Sequence, residues 1–240
     1  PSESTIFYAA DGSILARIHR EENRLVVPLS KISPSFYQAV IATEDPSFYQ
    51  HRGLDLKGIL RAAFKNLIYG RVVEGGSTIT QQLARNIFLS RRRTVARKLA
   101  EAILALQLER RYTKEEILEL YLNQVYLGHN SYGIESAANL YFGKHASDLD
   151  LAEAALIAGL IRGPEVYSPY RNFSQAKQRQ VHVLNRMLDH KYITEEEGNR
   201  AAREMLNFFP KNLKRLGDLA PYFINWVLQD LIEKYGEELV

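Results

Sequence analysis

Ser33-Pro-Ser-Phe-Tyr-Gln-Ala-Val-Ile-Ala-Thr-Glu44-Asp45-Pro46 is a stretch that joins a helix start, an apolar run and a helix stop. Ser33 is a typical N-cap and Pro34 a typical first helical residue, whereas Pro46 disfavours helical geometry at Asp45. We therefore expect a helix that ends near Glu44. A carboxylate there meets the negative end of the helix dipole beside a second carboxylate, and both effects favour proton uptake near neutrality, as a general base needs. An isolated Glu-Asp pair at a helix end is more often an ordinary polar pair than a catalytic one. The remaining sequence must therefore decide between these two interpretations.

Helical patterns dominate the chain after this stretch, because apolar residues recur at three-and-four spacing and capping residues precede several runs. Capping boxes are expected at Thr113, Asp150 and Thr194, and Ser174 is expected to open a further helix. Residues 5–29 alternate apolar and polar side chains around Asp11-Gly12, which indicates a β hairpin. The predicted helices cover 34–44, 55–69, 79–88, 92–111, 114–125, 154–161, 175–190, 198–206 and 221–235. The predicted fold is mostly α, with a short N-terminal β hairpin.

Length and composition exclude several classes of protein. The chain has 240 residues, enough for one large domain or one and a half ordinary ones, and it has no Cys, which excludes disulfides and thiolate chemistry. With 31 Lys and Arg against 28 Asp and Glu, the net charge of +3 is too small to imply nucleic-acid binding. No run of about 18 apolar residues could span a bilayer, and no signal peptide is visible. Because the opening Pro-Ser-Glu lacks Met, we expect a piece of a longer chain, with any membrane anchor absent from this piece.

The segment 75–82, Gly-Gly-Ser-Thr-Ile-Thr-Gln-Gln, places glycines and hydroxyls at the start of a predicted helix. Free N–H groups and the positive end of the helix dipole make such a start a natural anion site, although a plainly capped helix has the same pattern. Arg85 and Asn86 follow soon after and extend the polar side of the helix. The segment thus indicates either a polar binding wall or a capped helix.

A basic run that ends at Lys98 contains five cations in eight positions. On a helix, Arg93, Arg97 and Glu101 share one face, and Lys98 lies beside Glu101. Three interpretations of this face remain open: a solvated face with ion pairs, a clamp for a multiply charged anion such as pyrophosphate, and a nucleic-acid site. Nucleic acid is the weakest of the three, because aromatic residues do not interleave with the cations.

Five segments together resemble the motifs of the family 51 peptidoglycan glycosyltransferases. They are Glu44-Asp-x-x-Phe48-x-x-His51-x-Gly53, Gly76-Ser-Thr-Ile-Thr-Gln-Gln82, Arg97-Lys98-x-x-Glu101, Lys114-x-x-Ile-Leu-x-x-Tyr121-Leu-Asn123 and Arg179-x-x-x-Val183-Leu184. The resemblance is specific because all five occur in the family's order. The tail from Ala220 to Trp226 resembles the link into the transpeptidase domain of class A penicillin-binding proteins.

The resemblance implies a fold, a domain organisation and an activity. The fold would be related to lysozyme, with a large helical lobe and a smaller lobe that faces the membrane. Residues 1–30 would form a hairpin and linker segment, 31–215 the glycosyltransferase domain, and 216–240 the start of a linker to an absent transpeptidase domain. The activity would be the polymerisation of lipid II into β-1,4-linked glycan strands, with inversion and release of undecaprenyl pyrophosphate. We expect it at the extracytoplasmic face of a bacterial cell membrane, with lipid II, the growing glycan, the membrane surface and other cell-wall synthesis proteins as partners.

Site residues are implied by their match to the motifs. Glu44 matches the general base that takes the proton from the acceptor hydroxyl. Glu101 matches a second glutamate that organises the pyrophosphate, with an optional divalent metal, Mg or Mn, as cofactor. The residues that match the region holding the donor pyrophosphate are Ser77, Gln82, Arg93, Arg97 and Lys98. The other predicted substrate-binding residues are Asp45, His51, Thr78, Thr80, Gln81, Arg85 and Asn86, of which Arg85 departs from the Lys that relatives usually have.

Two other classes of protein share part of this pattern. A lysozyme-like lytic hydrolase also uses two carboxylates in a helical domain, but it has no pyrophosphate for Arg97 and Lys98 to hold. A non-enzymatic cationic membrane or scaffold module accounts for the cations and leaves Glu44 without a role. We further expect residues 67–73 and 87–89 to form a lobe in the lipid headgroups, and residues 70–76 to be mobile.

Overall fold

Helices make up most of the part of this protein that the structure describes, as the sequence predicted. The computed structural model describes residues 5–8, 14–18, 23–70, 75–88 and 94–208. The helices in these ranges are α1 (Pro34–Glu44), α2 (Leu56–Tyr69), α3 (Ile79–Phe88), α4 (Val95–Arg111), α5 (Lys114–Gln124), α6 (Ile134–Phe142), α7 (Leu151–Leu160), α8 (Phe173–Asp189) and α9 (Glu195–Arg203). Two short 3₁₀ turns, Leu29–Lys31 and Ala146–Asp148, precede α1 and α7. No helix in the described part of the chain is long and apolar enough to cross a membrane.

Short strands form two separate pairs. β1 (Thr5–Tyr8) and β2 (Ile14–Ile18) are antiparallel, with Thr5 opposite Ile18. This pairing is the one expected of the predicted hairpin, whose turn at residues 9–13 lies outside the described residues. β3 (Asn23–Arg24) pairs with β4 (Ser131–Tyr132).

The chain divides into two compact units. One consists of Pro1–Asn23 with Phe208–Val240, and the other of Arg24–Asn207. The first unit contains the β1–β2 pair, and the helix predicted at residues 221–235 lies outside the part of the chain that the structure describes. The second unit contains α1 to α9 and the site described below. The domain boundaries near residues 30 and 215 stay a prediction.

The core of the second unit is centred on α7, whose residues from Ala152 to Leu160 are all buried. Its small side chains let α1 and α8 pack closely against it. At Gly159, an added Cβ would lie 2.9 Å from Cγ of Arg179 on α8, so a larger residue would push that side chain aside. On α1, Phe36 and Ile41 are fully buried, and burial of a side chain of this size stabilises by about 2 kcal/mol. This packing fixes the position of Glu44, the last residue of α1.

Capping boxes predicted from the sequence are confirmed at three helix starts. Thr113, Asp150 and Thr194 each accept a hydrogen bond from the backbone three residues later, and a Glu at that position bonds back to the capping residue. α7 and α9 nevertheless begin directly after their caps, at Leu151 and Glu195, and not at residues 154 and 198 as predicted. α2 ends at Tyr69 as expected, with Gly70 in the left-handed conformation after it, and begins at Leu56, one residue later than predicted, with Asp55 as its N-cap.

Two other helix starts and one predicted cap differ from the expectation. α8 begins two residues early, because Asn172 and not Ser174 caps it by accepting a hydrogen bond from the Gln175 N–H at 3.1 Å. Ser33 precedes α1 as predicted, but its hydroxyl donates to the carbonyl of Leu149 at 2.8 Å and does not cap the helix. α4 begins at residue 95 and not at 92, with a threonine cap at residue 94. α6, which follows a glycine, was not predicted at all.

Candidate active site

Glu44 is held in place by a chain of two hydrogen bonds. Its Oε2 accepts a hydrogen bond from Nε2 of Gln82 at 3.0 Å, and Oε1 of Gln82 accepts one from the Tyr121 hydroxyl at 3.1 Å. Complete burial raises the pKa of Tyr121 well above its usual range, and the negative charge of Glu44 raises it further. The phenol therefore stays protonated and donates, which fixes the orientation of the Gln82 amide with its NH₂ group toward Glu44. α1, α3 and α5 thus each supply one member of this chain.

The loop that follows Glu44 is anchored to the start of α3 through Asp45. This buried carboxylate accepts a hydrogen bond from the Ile79 N–H at 3.0 Å, which places a negative charge at a helix N-terminus. It also accepts from Nε2 of His51 at 2.9 Å. Because Nδ1 of His51 accepts from the Gly53 N–H at 3.2 Å, Nε2 carries the proton and donates to Asp45. Asp45 and His51 therefore hold the loop in shape.

Thr78 and Gln81 cap α3 reciprocally. The Gln81 N–H donates to Oγ1 of Thr78 at 3.1 Å, and the Thr78 N–H donates to Oε1 of Gln81 at 3.1 Å. The Thr78 hydroxyl in turn donates to the carbonyl of Gly53 at 2.6 Å. The N–H groups of Thr78, Ile79 and Gln81 thus have acceptors in the protein, which fits a capped helix better than an anion site.

Thr80 has a similar structural contact on the other side of α3. Its buried hydroxyl donates to Oε1 of Glu109 at 2.6 Å, and the same oxygen accepts from Nζ of Lys114 at 2.7 Å. Five predicted substrate-binding side chains are therefore bonded within the protein: Asp45, His51, Thr78, Thr80 and Gln81. Their contact with a substrate stays a prediction.

A second cluster surrounds Glu101 on α4. Glu101 is fully buried and forms ion pairs with Arg97 and with Lys98, whose Nζ lies 2.7 Å from Oε2. Lys98 also donates to Oγ of Ser77 at 2.9 Å. Nε of Arg97 is buried and has no hydrogen-bond partner among the described residues. Because a buried acid is costly without partners, Glu101 holds the two cations in a fixed arrangement that has one positive charge in excess.

One short segment connects the two groups. Ser77 contacts Lys98, and Gln82, five residues later on the same segment, contacts Glu44. The segment passes close to α2, because an added Cβ at Gly76 would lie 3.1 Å from the Ile59 backbone. The structure therefore brings Glu44, Gln82, Ser77, Arg97, Lys98 and Glu101 into one region around the start of α3.

Two further predicted residues, Arg85 and Asn86, lie further along α3. Arg85 on α3 is half-buried, and its positive charge acts on the hydroxyl of Tyr121. Asn86 is exposed. Arg93 and the predicted mobile residues 71–74 lie outside the described residues.

Sequence reasoning missed two residues close to Glu44. Tyr121 was quoted in a motif without a role, although it orients Gln82. Arg179 on α8 was given no role; burial lowers the pKa of its guanidinium, while the nearby negative charge of Glu44 raises it. Its carbon Cζ lies 5.8 Å from the centre of the Tyr167 ring. Both residues belong to the quoted motifs, so the motifs were the available signal.

Glu101, which was expected to help hold an optional divalent metal, is paired with cations in this structure. Both of its carboxylate oxygens already have cationic partners, Arg97 and Lys98. Within the described ranges, no group of three or more His, Asp or Glu side chains could hold a metal ion. The expected Mg or Mn therefore stays a prediction, and no step below depends on it.

Comparison with known proteins decides the family. The family model described as "Transglycosylase" matches residues 11–188, which is most of the chain. The chain belongs to the transglycosylase family. This membership confirms the resemblance drawn from the five motifs and identifies the chain as a glycosyltransferase.

Individual relatives agree with this family. Penicillin-binding protein 2D of Bacillus subtilis (strain 168) is 44% identical over 234 residues, which is 98% of this chain and 34% of that protein. Penicillin-binding protein 1A of Escherichia coli (strain K12) is 45% identical over 230 residues, 96% of this chain and 27% of that protein. The crystal structure of penicillin-binding protein 1A from Haemophilus influenzae superposes with a TM-score of 0.61 at 26% identity, covering 99% of this chain and 25% of that one. The chain thus spans about a third or less of the length of these relatives.

Proposed function

We propose that this chain is a peptidoglycan glycosyltransferase that polymerises lipid II into β-1,4-linked glycan strands. The observation that carries the proposal is the segment 77–82, which bonds the acid Glu44 at one end and the cation Lys98 at the other. A transfer from a lipid pyrophosphate needs a base for the attacking hydroxyl and cations for the leaving group, and these are the two groups that meet here.

Glu44 is the proposed general base. It takes the proton from the 4-hydroxyl of the acceptor sugar while that oxygen attacks the anomeric carbon of the donor. The bond from this carbon to the pyrophosphate breaks, and undecaprenyl pyrophosphate leaves with the bonding electrons. A single direct displacement inverts the configuration, from an α-linked donor to a β-linked product. General-base assistance of this kind contributes roughly 10²–10⁴-fold.

Lys98 and Arg97, with Arg93, are the proposed partners of the leaving pyrophosphate. The side chain of Lys98 is 47% exposed, so it can turn from Ser77 toward an arriving anion while Glu101 keeps it nearby. Arg97 adds a buried N–H that has no acceptor within the described part of the chain. Cations that meet charge as it develops on a leaving group supply the larger share of such a rate enhancement.

The apolar surface of α2 supports a membrane as partner. Leu56, Leu60, Phe64 and Leu67 lie on one side of this helix and are exposed, Leu67 to 80%. An amphipathic helix of this kind lies in the interface of a bilayer with its apolar side in the acyl chains. We place the reaction at the extracytoplasmic face of the bacterial cell membrane, where a lipid-linked donor and acceptor are both held, with the growing glycan and other cell-wall synthesis proteins as further partners.

Polymerisation of labelled lipid II by wild type and by Glu44→Gln tests the proposal. We expect Glu44→Gln to lose at least about 100-fold in polymerisation while its affinity for lipid II changes less than about twofold, because the amide keeps the shape and removes the base. Glu115→Gln, at an exposed position of α5, is the matched control and keeps the wild-type rate.

Near-normal turnover by Glu44→Gln would refute the assignment of the base. The sizes of the products separate the competing functions. Long glycan from lipid II supports the proposal, shortening of a preformed glycan indicates the lytic hydrolase, and no change in either substrate indicates the non-enzymatic module.

A further inference from the structure

A cavity of about 720 Å³ lies between the loop after α1, the start of α2 and the end of α8. None of the residues Glu44, Gln82 and Lys98 lines it. Its walls carry cations from two helices, and these are Lys57, Arg61, Lys65 and Arg186. The three residues from α2 are spaced by four, so they form one stripe along the helix. The cavity therefore presents a concentrated positive charge outside the proposed active site.

His190 shows that the two helices bring their cations together. Partial burial lowers the pKa of His190, and the positive charges of Arg186 and Arg61 lower it further, whereas Asp189 raises it. Nη2 of Arg186 lies 3.0 Å from Nε2 of His190. Arg61 from α2 and Arg186 from α8 thus act on the same ring, so the positive charge converges on one side of the cavity.

Two carboxylates act on these cations: Asp55 in the cavity wall, and Asp189, whose Oδ2 lies 3.4 Å from Nη1 of Arg186. Burial alone would raise the pKa of Asp55, but hydrogen bonds from the Ser47 hydroxyl and the Gly58 N–H, with the charges of His51 and Arg61, lower it overall. Oδ2 accepts from Ser47 at 2.6 Å and Oδ1 from Gly58 at 2.8 Å, which caps α2. Among the residues that line the cavity, the cations Lys57, Arg61, Lys65 and Arg186 outnumber the one carboxylate, Asp55, and Arg and Lys are the usual partners of an anion such as phosphate.

The cationic stripe runs beside the exposed apolar side of the same helix. Lys57, Arg61 and Lys65 follow one line of α2, and Leu60 and Phe64, which are 71% and 65% exposed, follow the adjacent line. A helix with this division lies in a bilayer interface, and its cations then reach the level of the phosphates. The cavity opens next to a surface that is suited to membrane contact.

We propose that this cavity binds the phosphate group of an anionic phospholipid headgroup. The cations of α2 and Arg186 of α8 contact the phosphate, while the apolar side of α2 lies among the acyl chains of the same leaflet. The inference rests on the membrane contact in the proposed function and gives that contact a specific lipid. It assigns the cavity a role in holding the protein on the bilayer, separate from the transfer reaction.

Binding of the 240-residue chain to vesicles tests the proposal. The probes are vesicles of phosphatidylcholine with 30% phosphatidylglycerol and vesicles of phosphatidylcholine alone, at one fixed ionic strength. We expect Arg61→Gln combined with Arg186→Gln to weaken binding to the anionic vesicles about tenfold or more, since each cation at the surface contributes separately. Arg200→Gln combined with Arg203→Gln removes the same charge from exposed positions of α9 and should change binding less than about twofold.

A second variant keeps the test independent of folding. Arg61→Lys combined with Arg186→Lys retains the charges and should retain most of the binding. Equal losses in the glutamine pair and in the α9 control would overturn the proposal, because binding would then follow total charge. A loss in the lysine pair as large as in the glutamine pair would also overturn it, since charge in the cavity would not be what binds.

Two further measurements are needed. One distinguishes a lipid phosphate from inorganic phosphate as the ligand, and the other distinguishes vesicle binding from the proposed catalysis. Calorimetry with inorganic phosphate should show binding much weaker than binding to the anionic vesicles. Tight binding of inorganic phosphate without any preference for anionic vesicles would overturn the lipid assignment. Glu44→Gln should bind vesicles as the wild type does, so a failure of the proposed catalysis leaves this result unchanged.

Discussion

At the scale of single residues, the position of Glu44 depends on side chains that do not themselves react. Gln82 donates to it, and Tyr121 fixes which end of the Gln82 amide faces it. An amide whose carbonyl faced Glu44 would repel the carboxylate, so the buried phenol selects the arrangement in which Glu44 has a donor. Tyr121 is therefore a positioning residue in the proposed reaction.

Tyr121→Phe tests this role. We expect kcat to fall about fivefold with little change in KM, because the loss of one buried hydrogen bond costs about 1 kcal/mol and lets the Gln82 amide turn. Steady-state kinetics with lipid II measure the effect. The control is Tyr141→Phe, which removes a buried hydroxyl that donates to the Leu127 carbonyl at 2.8 Å, away from Glu44. A loss of the same size in both variants would contradict the positioning role.

At the scale of elements, α8 carries a face of positive charge. Partial burial lowers the pKa of His182 from its ordinary value of 6.5, and the charges of Arg179, Arg186 and Arg162 lower it further, while Asp189 raises it. His182 therefore takes up a proton less readily in the folded protein than in the unfolded chain. The stability contributed by neutral His182 is present above pH 6.5 and is lost as the pH falls toward the lowered folded-state pKa.

Urea unfolding of wild type and His182→Gln at pH 7.5 and 5.5 checks this sign. We expect the wild type to lose stability relative to the variant at the lower pH, because glutamine does not take up a proton in either state.

His145 provides a contrast of opposite direction, since a hydrogen bond to Glu135 raises its pKa. The wild type should therefore be more stable than His145→Gln below pH 6.5, and this difference in the free energy of unfolding should decrease as the pH rises. Equal pH dependence in all three proteins would contradict both assignments.

The elements that the sequence predicted best are those fixed by neighbouring residues. Thr113 and Thr194 form capping boxes with residues three positions away, so a short window contains the information. The role of Asp45 was not accessible in this way, because its partner Ile79 lies 34 residues further along the chain. The motifs located Glu44 and Lys98, but only the fold shows that both bond to one helix start.

At the scale of the whole molecule, the proposed site belongs to one of the two units. The unit Arg24–Asn207 contains the α7 core and all the described side chains of the proposed site. A unit of this size buries enough surface to fold without disulfides or metals. We therefore expect the transglycosylase fold to reside in this unit.

Expression of residues 24–207 alone tests that expectation. The shortened chain should have a helical far-ultraviolet spectrum and one cooperative thermal transition, because the helices that form its core are all retained. Calorimetry and circular dichroism provide the measurement. A shortened chain with a helical spectrum but no cooperative transition would show that its packing requires the other unit.

The hydrogen bonds at the beginning of α3 have a consequence for the design of inhibitors. The amide hydrogens of Thr78, Ile79 and Gln81 already have acceptors in the protein, so a compound aimed at them would have to displace Asp45 or unwind the turn. A competitor has to draw its affinity from side chains that can rearrange, of which Lys98 is the most exposed in this cluster. Selectivity between related enzymes would then follow differences in those side chains and not the shared backbone.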